Sequence, residues 1–154
     1  MNAMDRLIMF IATGAFTGYL PKAPGTWGSI LGVGLWAGLH RLELLPYLGI
    51  LAVLFVAGTA CAGSAEKILD RGDPGIVVID EIVGQLIALA AAPFHPAAAL
   101  LGFVLFRVFD IVKPFPVNWL DKHIHGGLGI MLDDVAAGLY ALLTLQLLWR
   151  IFFP

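Results

Sequence analysis

The chain has 154 residues, 60% of them hydrophobic and 13% charged, with a formal net charge of −2. A mean hydropathy of +0.91 sets it apart from ordinary soluble domains, where about a quarter of residues are charged, and the near-neutral balance excludes the basic face that nucleic acid requires. Cys61 is the only cysteine, which excludes an intrachain disulfide and a cysteine-built zinc site, and its small apolar neighbours predict an inert, packed thiol.

The length predicts one domain over residues 1–154. Apolar character spread over the whole chain predicts an all-α fold: an integral membrane helical bundle with short or re-entrant helices and a charged cytoplasmic face. A soluble all-α domain with a very apolar core is the alternative.

Taken in order, Asp5–Phe16 predicts a short helix. At about 1.5 Å per residue it reaches roughly 18 Å, short of a hydrocarbon core of about 30 Å, so it is expected at the interface and not as a cleaved leader. Pro21, Pro24 and Gly25 then break the chain, and Thr26 or Ser29 is placed to cap the helix predicted over Trp27–His40. Gly28, Gly32, Gly34 and Gly38 offer that helix small-residue faces for close packing. Leu44–Ser64 is the clearest spanning segment of the first half, followed by a polar stretch whose Asp73-Pro74-Gly75 signals a turn. From Glu81 two short apolar arms form a helical hairpin bent at Pro93 and Pro96, and a final spanning helix is predicted over Asp134–Phe153. Threaded with alternating crossings, Arg6, Lys22, Lys67, Arg71, Lys113 and Lys122 fall on one side and Arg41 and Arg150 on the other, which marks the first side as cytoplasmic.

Chemistry-bearing residues concentrate between Phe106 and Tyr140, where Arg107, Asp110, Lys113, Asp121, Lys122, His123, His125, Asp133 and Asp134 interrupt an otherwise apolar sequence. Asp80-Glu81 and Asp133-Asp134 are each expected to open an apolar helix. One carboxylate there is ordinary helix capping, whereas adjacent pairs at two helix starts repel unless a cation lies between them. Oxygen-rich sites of this kind suit Mg²⁺, so all four are candidate metal ligands. Arg107, Asp110 and Lys113 recur every third residue and share a helix face. They form either a local ion-pair cluster or a site where Asp110 assists catalysis while Arg107 and Lys113 hold a phosphate. His125, next to Gly126, Gly127 and Gly129, is a candidate proton carrier beside a loop whose backbone could approach a phosphate, or else a surface histidine beside loop glycines. Lys22 and Thr26 flank a turn before a helix start and are candidate phosphate binders, with a plain turn as the alternative. His40 and His95 thread to the opposite face and are expected to be non-catalytic, and His123 is left open.

Together, Pro24–Ser29 (PGTWGS), Asp73–Gly84 (DPGIVVIDEIVG) and the block from Phe106 to Gly138 resemble the phosphatidylglycerophosphatase A family in the same order along most of the chain. The last block is the specific one. The resemblance implies an all-α fold, a bacterial inner-membrane location, and Mg²⁺-dependent hydrolysis of phosphatidylglycerophosphate, with membrane lipids as surroundings. It maps the family's metal and phosphate positions onto Asp80, Glu81, Arg107, Asp110, Lys113, His125, Asp133 and Asp134. Of these, Asp110, His125 and Asp134 are expected to be catalytic. Asn118 departs from the family pattern, where a basic residue often stands. The DG…AR pattern of CDP-alcohol phosphotransferases and the PSGH motif of histidine-nucleophile lipid phosphatases are missing. A channel or transporter subunit gated by Arg107 and Asp110 is the non-enzymatic alternative.

Overall fold

In the computed structural model, which describes residues 1–153, the chain is wholly helical, with no strand among the described residues. The elements are α1 (Ala3–Ala12), a 3-10 turn (Thr17–Tyr19), α2 (Pro24–Leu39), α3 (Leu44–Leu69), α4 (Ile79–Ala88), α5 (Pro96–Val112), α6 (Val117–His123) and α7 (Gly126–Phe152).

Local chemistry sets several of these ends. Asn2 and Asp5 close a reciprocal capping box on α1, each side chain accepting from the other's backbone N–H. Pro24 and Pro96 open α2 and α5, where the missing N–H costs nothing, and His95 Nδ1 accepts from the Ala97 amide at 3.1 Å. Asp70 and Lys113 end α3 and α5 in the left-handed region. The hairpin of α4 and α5 has its bend at the expected prolines. Several boundaries differ from expectation: α1 ends at Ala12 and not Phe16, α4 starts at Ile79, and α6 is a short helix where only a charged connection was expected. Helix α2 begins at Pro24, three residues early, and α3 continues past Ser64 to Leu69. The largest difference is α7, which starts at Gly126, so Asp133 and Asp134 lie about two turns inside the helix and do not open it.

Helix α7 is the axis of the molecule, in contact with α3, α4, α5 and α6, while α4 is wedged between α2 and α7. Most of α4 is buried, including Ile79, Ile82, Val83, Gly84, Leu86 and Gln85. Glycine sets how near these helices come. A Cβ on Gly84 would lie 2.5 Å from the Phe106 ring and 2.8 Å from the Asp134 carbonyl oxygen, and one on Gly138 would lie 2.5 Å from the Gly84 carbonyl oxygen. The α4–α7 crossing is therefore backbone on backbone. On α2, Gly28 and Gly32 lie against Val78 and Gln85 in the same way, whereas Gly34 and Gly38 face open space. The expected small-residue face of α2 uses only its first half.

Helices α3 and α7, with 26 and 27 residues, are long and apolar enough to cross a membrane. Large apolar side chains also point outward along α5 (Leu100, Val104, Val108, Ile111) and α7 (Leu139, Leu143, Leu147, Ile151). Such spacing of three and four residues draws a continuous apolar stripe down each helix.

Candidate active site

The charged residues gather at one end of the bundle, where the first turns of α4 and α7 meet the last turns of α3 and α5. A cavity of about 300 Å³ opens there, lined by Asp80 and Glu81 from α4, Asp110 and Lys113 from the end of α5, and Asp133 and Asp134 from α7. The helical repeat explains α7's share: Gly126, Gly129, Ile130, Asp133 and Asp134 recur every three or four residues and present one face to the cavity. Asp80 and Glu81 reach it because the α4–α7 glycine crossing lies directly beneath them.

Three of these acids form the tightest group. One carboxylate oxygen from each of Asp80, Glu81 and Asp134 lies within 4.8 Å of the others. Asp134 is 3% exposed, and Asp80 and Glu81 are half-buried. Asp80 Oδ1, Glu81 Oε2 and Asp134 Oδ2 are buried without a hydrogen-bond partner. Two unit charges at that separation repel by about 3.5 kcal/mol at an effective dielectric constant of about 20. Burial, followed by the adjacent Glu81 charge, pushes the Asp80 carboxyl well above the usual carboxylate range. An oxygen-only donor set with unmatched negative charge fits a hard divalent cation such as Mg²⁺.

The cations are already engaged. Arg107 donates to Asp110 at 2.6 Å, lies 3.9 Å from Glu81, and reaches the Ser29 hydroxyl at 3.4 Å. Lys113 bridges Asp121 on α6 at 2.5 Å and Asp133 on α7 at 2.8 Å. Burial lowers the Lys113 pKa, but these two carboxylates outweigh it and the net shift is upward. Asp133 thus stands outside the three-acid group, as the partner of Lys113.

The remaining expected residues are placed less uniformly. His125 lines the cavity from the N-cap of α7 and is exposed. Its glycine neighbours are not a loop. They are the first turn of α7, where a Cβ on Gly127 would strike the Thr59 carbonyl oxygen and the backbone of Gly63 on α3. Lys22 and Thr26 do not line the cavity, so the structure does not bring them to the other residues. Their helix start does reach it through Gly25, which lies against the Glu81 carboxylate and Arg107. His40 stacks on Phe94, His95 caps α5, and His123 stacks on Trp119; none lines the cavity.

Sequence reasoning gave no part in the site to Glu66, Asp73 or Asp121, which complete the rim, or to Gly25 and Ser29 behind Glu81 and Arg107, which it read only as a chain break and a helix cap. Glu66 Oε1 accepts from the Asp73 amide at 2.9 Å and ties the loop before α4 to the end of α3. The polar run around Asp73-Pro74-Gly75 was the available signal for Glu66 and Asp73.

The profile of the family described as Phosphatidylglycerophosphatase A matches residues 10–149. A protein of Haemophilus influenzae named Phosphatidylglycerophosphatase A is 40% identical over 141 residues, covering 89% of this chain and 85% of the relative. One of the same name from Escherichia coli is 35% identical over 129 residues, covering 83% and 75%. A Bacteroides thetaiotaomicron protein, provisionally named a phosphatidylinositol-3-phosphatase, is 39% identical over 155 residues, covering 94% and 95%. No solved structure matches the chain. With the profile spanning nearly its whole length, the chain belongs to the phosphatidylglycerophosphatase A family.

Proposed function

We propose that the protein is a membrane-embedded, Mg²⁺-dependent phosphatase that hydrolyses phosphatidylglycerophosphate to phosphatidylglycerol and inorganic phosphate. The observation that carries this reading is the convergence of Asp80, Glu81 and Asp134, with unpartnered buried oxygens, beside Lys113 and Arg107 in a chain of this family. Nothing in the family comparison favours a channel or transporter, and the Arg107–Asp110 pair is a local bridge within one helix.

Asp80, Glu81 and Asp134 would hold the divalent cation. Such an ion, when bound, acts as a Lewis acid that offsets charge developing on the phosphoryl oxygens. Lys113, at the cavity wall, supplies a second positive charge to those oxygens, with Arg107 behind Asp110 and Glu81. Asp133 and Asp121 hold the Lys113 ammonium in place, and Arg107 fixes Asp110, which orients the attacking water. No side chain caps the first turn of α7, so its amides are free to donate to a phosphate. His125 gives a proton to the departing glycerol oxygen as the phosphorus–oxygen bond breaks.

The outward apolar stripes suit lipid contact, with α3 and α7 crossing the bilayer and the shorter helices packed between them. In this reading the cavity end faces the cytoplasmic side of a bacterial inner membrane, which the excess of basic residues predicted for that side supports.

The test is phosphate release from phosphatidylglycerophosphate by purified protein, with Mg²⁺ and with EDTA. Release with Mg²⁺, its loss in EDTA, and its loss in folded Asp80→Asn and Asp134→Asn are expected. Near-normal turnover in both variants would overturn the metal assignment; no release from the wild type would overturn the function.

A further inference from the structure

A second cavity, of about 390 Å³, lies between α3, α4 and α7, and every residue lining it is apolar. Its position relative to the acidic site is the same on each helix. On α4 it begins at Val83, one turn beyond Asp80, and runs past Ile87 to Ala90 in the turn after the helix. On α7 it begins at Leu132, beside Asp133, and runs to Leu142. On α3, whose last turns reach the acidic cavity through Glu66, it lies farther back, from Leu48 to Phe55. The groove thus starts within one turn of Asp80 and Asp133 and leads away from them along the bundle.

We infer that this groove receives one acyl chain of the phospholipid substrate while the headgroup occupies the acidic cavity. The inference rests on the lipid phosphatase reading. Seven to ten helical residues span about 10–15 Å, which is half of a hydrocarbon core of about 30 Å, the depth of one leaflet. An all-apolar groove of that depth, beginning one turn from Asp80, fits a hydrocarbon chain hung from a headgroup in the acidic cavity. Its start within one turn of Asp80 and Asp133 separates it from the outward stripe of α5, whose Leu100 and Val104 are exposed on the outside of the bundle. Chain length is therefore read at the far end of the groove, at Leu48, Ala90 and Leu142.

The test compares substrates with two hexadecanoyl chains and with two hexanoyl chains, in detergent, for wild type, Ala52→Trp, Ala90→Phe and the control Leu100→Trp. The two groove variants fill the cavity from different helices, so one remains informative if the other misfolds. The expected result is a long-chain KM raised about tenfold in the groove variants. Short-chain kcat/KM stays within about twofold, and Leu100→Trp behaves as wild type. A phospholipid carrying a diazirine on its acyl chain, photolysed in wild type, is expected to label α3, α4 and α7 peptides of the groove over those of α5. Equal labelling of groove and α5, or groove variants that leave the long-chain KM unchanged, would overturn the inference. So would Ala52→Trp splitting a dimer with no change in KM, which would make a second copy the occupant. Should the wild type hydrolyse neither substrate, the phosphatase reading fails, while the labelling still decides whether the groove holds a chain.

Discussion

Gly84→Ala adds one methyl group where α4 crosses α7. The new Cβ would lie 2.5 and 2.7 Å from two ring carbons of Phe106 and 2.8 Å from the Asp134 carbonyl oxygen, against an ordinary contact of at least 3.4 Å. Phe106 is fully buried and the carbonyl is main chain, so neither can swing aside. The helices must separate by about 0.6–0.9 Å, the shortfall of those contacts. Overpacking of this kind costs about 1–3 kcal/mol, and alanine's helix preference returns up to about 1 kcal/mol, for a net loss of about 0–2 kcal/mol. The functional effect is expected to be larger than the stability effect. The same movement draws Asp80 and Glu81 away from Asp134, and a misplacement near 1 Å can cost about 100-fold in rate. Phosphate release and thermal unfolding would be measured in detergent beside Gly102→Ala, whose Cβ meets chiefly the flexible end of Leu89, with no active-site residue among its close neighbours. We expect kcat/KM to fall about 10–100-fold in Gly84→Ala and less than about threefold in Gly102→Ala, at comparable losses of stability. Equal activity losses in the two, or full activity in Gly84→Ala, would refute the link between this crossing and the assembled site.

Gly34→Ala, on a face with nothing within 4 Å, should leave activity unchanged and raise stability by up to about 1 kcal/mol, read by thermal unfolding. Lys113→Met removes the partner of buried Asp133 and should cost about 1.5–3 kcal/mol with a clear loss of kcat/KM, partly restored in Lys113→Arg. Tyr47→Phe removes a 2.7 Å buried hydrogen bond to the Leu86 carbonyl and should cost about 1 kcal/mol in denaturant unfolding without changing KM, since Tyr47 lies outside the acidic cavity.

The residues that bear chemistry were legible because charge is scarce in this sequence: Asp80, Glu81, Asp110, Lys113 and Asp134 stand out from apolar runs. The same contrast exposed the long α3 and the hairpin break at Pro93 and Pro96. The start of α7 was not legible. Gly126, Gly127 and Gly129 have poor intrinsic helix preference, and only the folded chain shows why glycine fits: a positive φ at Gly126, the close approach of α3 at Thr59 and Gly63 to Gly127, and the Ile124 carbonyl against Gly129. Moving that start back by two turns turned Asp133 and Asp134 from capping positions into a face of the cavity wall. Pairing was also hidden, because the partner choice of Lys113 depends on α6, a short helix within the charged segment, delivering Asp121. In the same way, Gly28 and Gly32 cannot be told from Gly34 and Gly38 until α4 is seen against one half of α2 only.

The grip of Asp80, Glu81 and Asp134 on one divalent cation is tested most directly by equilibrium Mn²⁺ binding to the purified protein, followed by electron paramagnetic resonance with Mg²⁺ as competitor. The wild type should bind Mn²⁺ at a site from which Mg²⁺ displaces it, and Asp80→Asn and Asp134→Asn should each weaken binding at least about tenfold while remaining folded in EDTA. Binding of equal strength in the wild type and both variants, or none in the wild type, would contradict it.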